Sequence, residues 1–107
     1  MSEKIKVGPH VFDIFYLSKV VHEDGSEVLG QCDSVFNKIE ILDSLPTTKK
    51  AQVEIHEVMH ALVAQTGVLP SEDQEEMVVT ALAVVLTQFA QDNSYWLKSW
   101  VNRAQIL

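Results

Sequence analysis

One stretch, AQVEIHEVMHALVAQTG from Ala51 to Gly67, limits the folds open to this chain more than any other. Val53, Ile55, Val58, Leu62 and Val63 recur at spacings that suit a helix. Gly67 fits the left-handed position at which helices end, and Pro70 bars continuation. Thr47 or Ser44 can cap the start. Yet the middle of this apolar run carries His56, Glu57 and His60. Imidazole and carboxylate groups without partners on a packed helix cost free energy through desolvation, so this helix needs something to pair with them.

The flanks say what such a helix can pack on. Val11 to Val21, VFDIFYLSKVV, is rich in β-branched and aromatic residues, and Asp24-Gly25 after it suits a tight hairpin turn. A return strand is expected from about Val28. In VFNKIEILDSL, Val35, Ile39 and Ile41 mark one or two further strand pieces before Pro46 closes the β region. Downstream, Ser71 and Gln74 have capping-box spacing, and Glu72, Asp73, Glu75 and Glu76 suit the positive end of a helix dipole. That second helix runs to about Gln91, and DNS breaks it before a shorter amphipathic piece, YWLKSWVNRAQIL. The expectation is one α+β domain over residues 1–107, a small antiparallel sheet followed by two or three helices.

Bulk properties exclude some roles. A chain of 107 residues has room for one small core. Its net charge of −7 repels phosphate, which argues against nucleic acid and anionic membrane as partners. The apolar run around Ala81 to Leu86 is far too short to span a bilayer. Cys32 is the single cysteine and has no internal disulfide partner, and MSEKIKVGPH lacks the apolar core of a signal peptide. A cytoplasmic protein is expected.

His56 and His60, four residues apart, stand one turn above each other on a helix, where two imidazoles can reach one metal ion. With Glu57 they form H-E-x-x-H, in which the carboxylate can take a proton from zinc-bound water and pass it to a leaving amine. A catalytic zinc needs a third protein ligand. Glu75 and Glu76 are the obvious donors, because an antiparallel helix pair joined by GVLPS brings the start of the second helix toward the first. Glu76 is favoured, since it shares a face with Val79, Thr80 and Ala83, small residues that permit close approach. Glu75 shares one with Val78, Leu82 and Phe89.

These residues resemble the gluzincins, H-E-x-x-H zincins whose third ligand is a glutamate on the following helix. The likeness is greatest to very small members encoded by phages, prophages and archaea, including minigluzincins and metallopeptidase domains of the ImmA/IrrE kind. Those proteins tend to show an I-x-I strand end, the motif helix, then a helix opening E-x-x-[AV]-x-x-[FL]-A. Here IEI stands at Ile39 to Ile41, HEVMH at His56 to His60, and EMVVTALA at Glu76 to Ala83. The resemblance spans roughly Val28 to Asn93. It implies a zincin-like domain, Zn2+ held by His56, His60 and Glu76, Glu57 as general base, and a peptide or protein substrate laid along Ile39 to Ile41 as the sheet edge.

A second expectation is a metal-stabilised binding or regulatory module on the same fold, its site latent, because the chain has little material for specificity pockets. Tyr16, His22, His10 and Tyr95 are candidates by chemistry for stabilising an oxyanion. Cys32 is either an inhibitory metal ligand or a small apolar filler. Tyr95, Trp96 and Trp100, at helical spacing, suit a partner surface, a dimer contact or a lid, with at least one tryptophan expected at the end of the core. The oligomeric state stays open.

Overall fold

The computed structural model describes residues 2–68 and 71–105. In chain order they form β1 (Ser2–Val7), β2 (His10–Leu17), β3 (Gly30–Asp33), β4 (Lys38–Leu42), α1 (Thr47–Thr66), α2 (Glu72–Asp92) and α3 (Ser94–Ala104). The class is α+β, as expected, with a four-stranded sheet in the order β1-β2-β4-β3 followed by three helices.

Period-two alternation makes the sheet two-faced. The register places Ile5 beside Phe12, Ile14 beside Ile39, Tyr16 beside Ile41 and Cys32 beside Ile39, so one face is apolar. The other face carries Lys4, Asp13, Lys38, Gln31 and Glu40 in the alternate register, with Lys4 and Asp13 ion-paired across β1 and β2. Helix α1 lies on the apolar face through Val53, Glu57 and Ala61, one residue per turn. Val7, Phe12, Ile14, Ile39, Ile41, Val53 and Ala61 form the core between them.

The sheet corrects three expectations. It is mixed rather than antiparallel, because β2 and β4 pair in parallel. The turn at Asp24-Gly25 does form, with Gly25 at φ +87° and its N–H donating to the His22 carbonyl over 2.9 Å. It closes only an isolated bridge, Val21 with Glu27, and the chain then crosses so that β3 pairs with β4 instead of with β2. The hairpin that β2 does make is with β1, turned at Gly8 with φ +58°. Val35 lies in the β3–β4 turn, 83% exposed, where the Asp33 carboxylate accepts from the N–H groups of Val35 and Phe36.

The helix ends follow the sequence more closely. Gly67 ends α1 at φ 62°, and Ser71 caps α2, its hydroxyl accepting from the Gln74 N–H over 3.1 Å. Neither Thr47 nor Ser44 caps α1; Pro46 holds the cap position without a side-chain bond. Pro70 lies outside the described residues. Among the described residues, no helix is long and apolar enough to cross a membrane.

Candidate metal centre

The site begins with a missing side chain. A Cβ on Gly30 would stand 2.7 Å from Val53 Cγ1 and 3.2 Å from Glu57 Cγ, so the glycine lets α1 settle onto β3 at this point. Glu57 is thereby held at the edge of the sheet, 8% exposed and the one buried charged residue among those described. Burial pushes its carboxyl up to about 7, partly opposed by His60 and assisted by the negative charge of Glu76.

His56 and His60 emerge from the same helix face, half-buried, with ring centroids 5.0 Å apart. The first turns of α2 face them. Glu76 spans the two rings: Oε1 lies 3.0 Å from His56 Nε2 and Oε2 lies 2.7 Å from His60 Nε2. Burial raises the Glu76 carboxyl, but His60 and His56 outweigh it and bring the group below its ordinary value. The Thr80 hydroxyl, one turn on, donates to Glu76 Oε1 over 3.3 Å. Val79 and Ala83, buried on the same face of α2, keep the two helices close.

Glu75 has a different place. Its Oε2 lies 3.0 Å from His60 Nδ1, on the ring nitrogen that points away from Glu76. A carboxylate there orients the imidazole and favours a proton on Nδ1, which leaves the Nε2 lone pair available to a metal. Sequence spacing alone leaves Glu75 as a dipole-compensating acid or a rival ligand.

Ligand atoms of His56, His60 and Glu76 all lie within 4.8 Å of one another. Two imidazole nitrogens and one carboxylate oxygen make a donor set of the kind catalytic zinc uses, and the orienting carboxylate of Glu75 completes the usual support. The residues present therefore fit such an ion. The group opens onto a cleft of about 780 Å³ between β3, α1 and α2.

Of the four oxyanion candidates, His22 alone lines this cleft. Its Nδ1 stands 3.3 Å from Gln31 Oε1, and the Gln31 amide donates in turn to Glu40 and to the Val21 carbonyl. Tyr16 instead donates to Glu54 behind α1, beneath Lys50, and burial followed by that bond raises its phenol. His10 closes the β1–β2 hairpin, and Tyr95 is 85% exposed on α3. Cys32 lines the cleft from β3, where burial first, then the charges of Glu57 and Glu75, push its thiol up to about 11 despite the Ser34 hydroxyl.

Gly30 and Gln31 are cleft-lining positions that lie outside the motif. A glycine inside the strand pattern VLGQCD was the available signal, since it marks a close approach of backbone to another element. Among known protein families, curated proteins and solved structures, none matches this chain.

Proposed function

We propose that the chain is a minimal cytoplasmic zinc-dependent metallopeptidase of the gluzincin type, with Zn2+ held by His56, His60 and Glu76 and a peptide or protein as substrate. The supporting observation is the Glu76 carboxylate meeting both Nε2 atoms beside a buried Glu57, at the floor of an open cleft. Zinc bound by these residues would supply Lewis acidity toward a peptide carbonyl and make water a competent nucleophile near neutral pH.

The side chains divide the remaining work. Glu57, with its carboxyl near 7, accepts the proton of the attacking water and delivers it to the departing amine. Glu75 fixes the ring of His60, and Thr80 steadies the Glu76 carboxylate. The substrate strand belongs on β3, Gly30–Asp33, which is the edge of the sheet beside the cleft. Ile39 to Ile41 does not serve, because β4 is paired on both sides, with β2 and β3.

A second reading, the latent metal-stabilised module, draws on the shortness of that edge and on the single oxyanion candidate in the cleft, His22. Elemental analysis with assays on unfolded proteins and peptide libraries tests both. The purified chain should carry about one zinc, lost in the His56→Ala/His60→Ala double variant, and Glu57→Gln should keep metal while abolishing cleavage. Metal retained in full by the double variant would overturn the site. Stoichiometric zinc without cleavage of any substrate would favour the latent module.

A further inference from the structure

The cleft extends well past the cluster of histidines and glutamates at one end of it. On α1, Lys49, Gln52, His56 and His60 recur at three- and four-residue intervals and form one lining stripe. On α2, Glu76, Thr80, Thr87 and Gln91 form the other. The stripes run in opposite directions, since His60 and His56 meet the first turns of α2 and the later turns of α2 accompany Lys49 at the far end. No residue of α3 is buried and neither Trp96 nor Trp100 lines the cleft, so the tryptophans neither fill the end of the core nor cover this site.

Charge is divided along this groove. Glu57, Glu72, Glu75 and Glu76 gather at the histidine end, whereas Lys49 is the one lysine or arginine among the lining residues. Its neighbour Lys50 is taken by Asp43 at 3.2 Å and lies over the Tyr16 ring, outside the cleft. Lys49 is exposed and, among the described residues, has no ion-pair partner. Uncharged groups, among them Gln52, Thr80 and Ala83, separate the two ends.

Direction comes from β3. The Leu42 N–H donates to the Leu29 carbonyl, so in the alternating antiparallel ladder Gln31 and Asp33 bond to β4, while Gly30 and Cys32 turn their N–H and C=O groups to the free edge. Gly30 lies against Val53 and Glu57, and Cys32 feels the charges of Glu57 and Glu75, so β3 runs the same way as α1, toward the acidic end. A peptide paired antiparallel to this edge, the more stable arrangement, therefore runs from the acidic end toward Lys49.

We propose that the cleft selects peptides carrying a carboxylate on the C-terminal side of the bond to be cleaved, and that Lys49 binds it. This rests on the reading of the site as a peptidase. Lys49 and His56 stand two helical turns apart, about 10 Å, which an extended chain covers in about three residues. With the reach of the lysine stem, the carboxylate belongs roughly two to four residues beyond the scissile bond, as an acidic side chain or as the chain terminus.

Fluorescence anisotropy of labelled peptides against the Glu57→Gln chain, with and without added zinc, tests this, alongside mass-spectrometric mapping of cleavage by the parent chain. The peptides are otherwise uncharged, carry Glu or Gln at each position in turn, and are made with free and amidated C-termini. A carboxylate at the right position should tighten binding about fivefold, an advantage lost at high salt, and the parent should cut roughly two to four residues before it. Lys49→Gln should erase the advantage, and Lys49→Glu should transfer it to peptides carrying Lys. Loss of affinity on amidation identifies the terminal carboxylate as the bound group, and persistence identifies the side chain. Equal binding of Glu, Gln, free and amidated peptides, or a preference that survives Lys49→Gln, overturns the inference. Selective binding without cleavage leaves Lys49 its role and counts against the peptidase reading instead.

Discussion

Helices α1 and α2 are nearly equal in length and both rich in apolar residues, yet they are held very differently. The first buries a stripe of Val53, Glu57 and Ala61 against a four-stranded sheet. The second rests on the first through Val79 and Ala83 and otherwise faces outward. The candidate site straddles this boundary, taking His56, Glu57 and His60 from the braced half and Glu75 and Glu76 from the other. A site built this way has fixed imidazoles and a carboxylate pair whose position depends on how α2 is supported.

The contrast should break most visibly in stability. Phe12→Ala empties a fully buried position between sheet and α1 and should cost about 3–5 kcal/mol. Met77→Ala, on the exposed side of α2, should stay within about 0.5 kcal/mol. Urea unfolding of both variants measures the gap, and comparable losses would mean that α2 is as deeply integrated as α1.

Next in size is a pH effect confined to the braced half. In the metal-free protein the Glu57 carboxyl is raised from 4.5 to about 7, so the folded chain holds a proton that the unfolded chain releases. The resulting stability is complete below about pH 4.5 and is lost as pH rises through about 7, a swing of about 3 kcal/mol at most. Glu57→Gln should flatten that slope in chelator-treated samples unfolded at a series of pH values. An unchanged slope would assign the effect to other groups.

Gly30→Ala tests how α1 is seated. The added methyl meets Val53, Glu57 and the Glu40 carbonyl, and should cost about 1–3 kcal/mol. Because it presses on Glu57 as well as Val53, it should also weaken the proposed metal-dependent cleavage more than a variant of equal instability elsewhere in the core. Equal loss of activity in a matched Ile14→Val control would reduce Gly30 to ordinary packing.

Smallest of all is the expected difference between the two glutamates of α2. Glu75→Gln leaves His60 without its orienting carboxylate and should lower zinc affinity about ten- to a hundredfold. Glu76→Gln should lower it further, by removing a proposed ligand. Competition with a chromophoric chelator gives both constants, and the reverse ranking would exchange the two roles.

What could be read from the residues alone divides along the same boundary as locality. The motif triplet, the Gly67 terminus and the Ser71 cap depend on neighbours a few positions away, and each stands where spacing placed it. Strand pairing depends on distant partners. SEKIKV alternates as a strand, but its lysines face solvent and its apolar side is only Ile5 and Val7, too little to mark it before β2 is known to lie alongside. Asp24-Gly25 promised a hairpin and gave a turn, because a dipeptide sets the reversal and not which strands continue beyond it. The same non-locality moved the sheet edge from Ile39–Ile41 to β3.

Glu57 has a final consequence for anyone who would engineer this chain. Laboratory selection for heat resistance rewards whatever removes an unfavourable buried group, and among the described residues this is the one buried charge. Isosteric replacement by glutamine, or an apolar residue at that position, should therefore surface early among thermostable survivors. Such a library would drift toward robust proteins that have discarded the carboxylate proposed to carry the proton, unless turnover is screened alongside endurance.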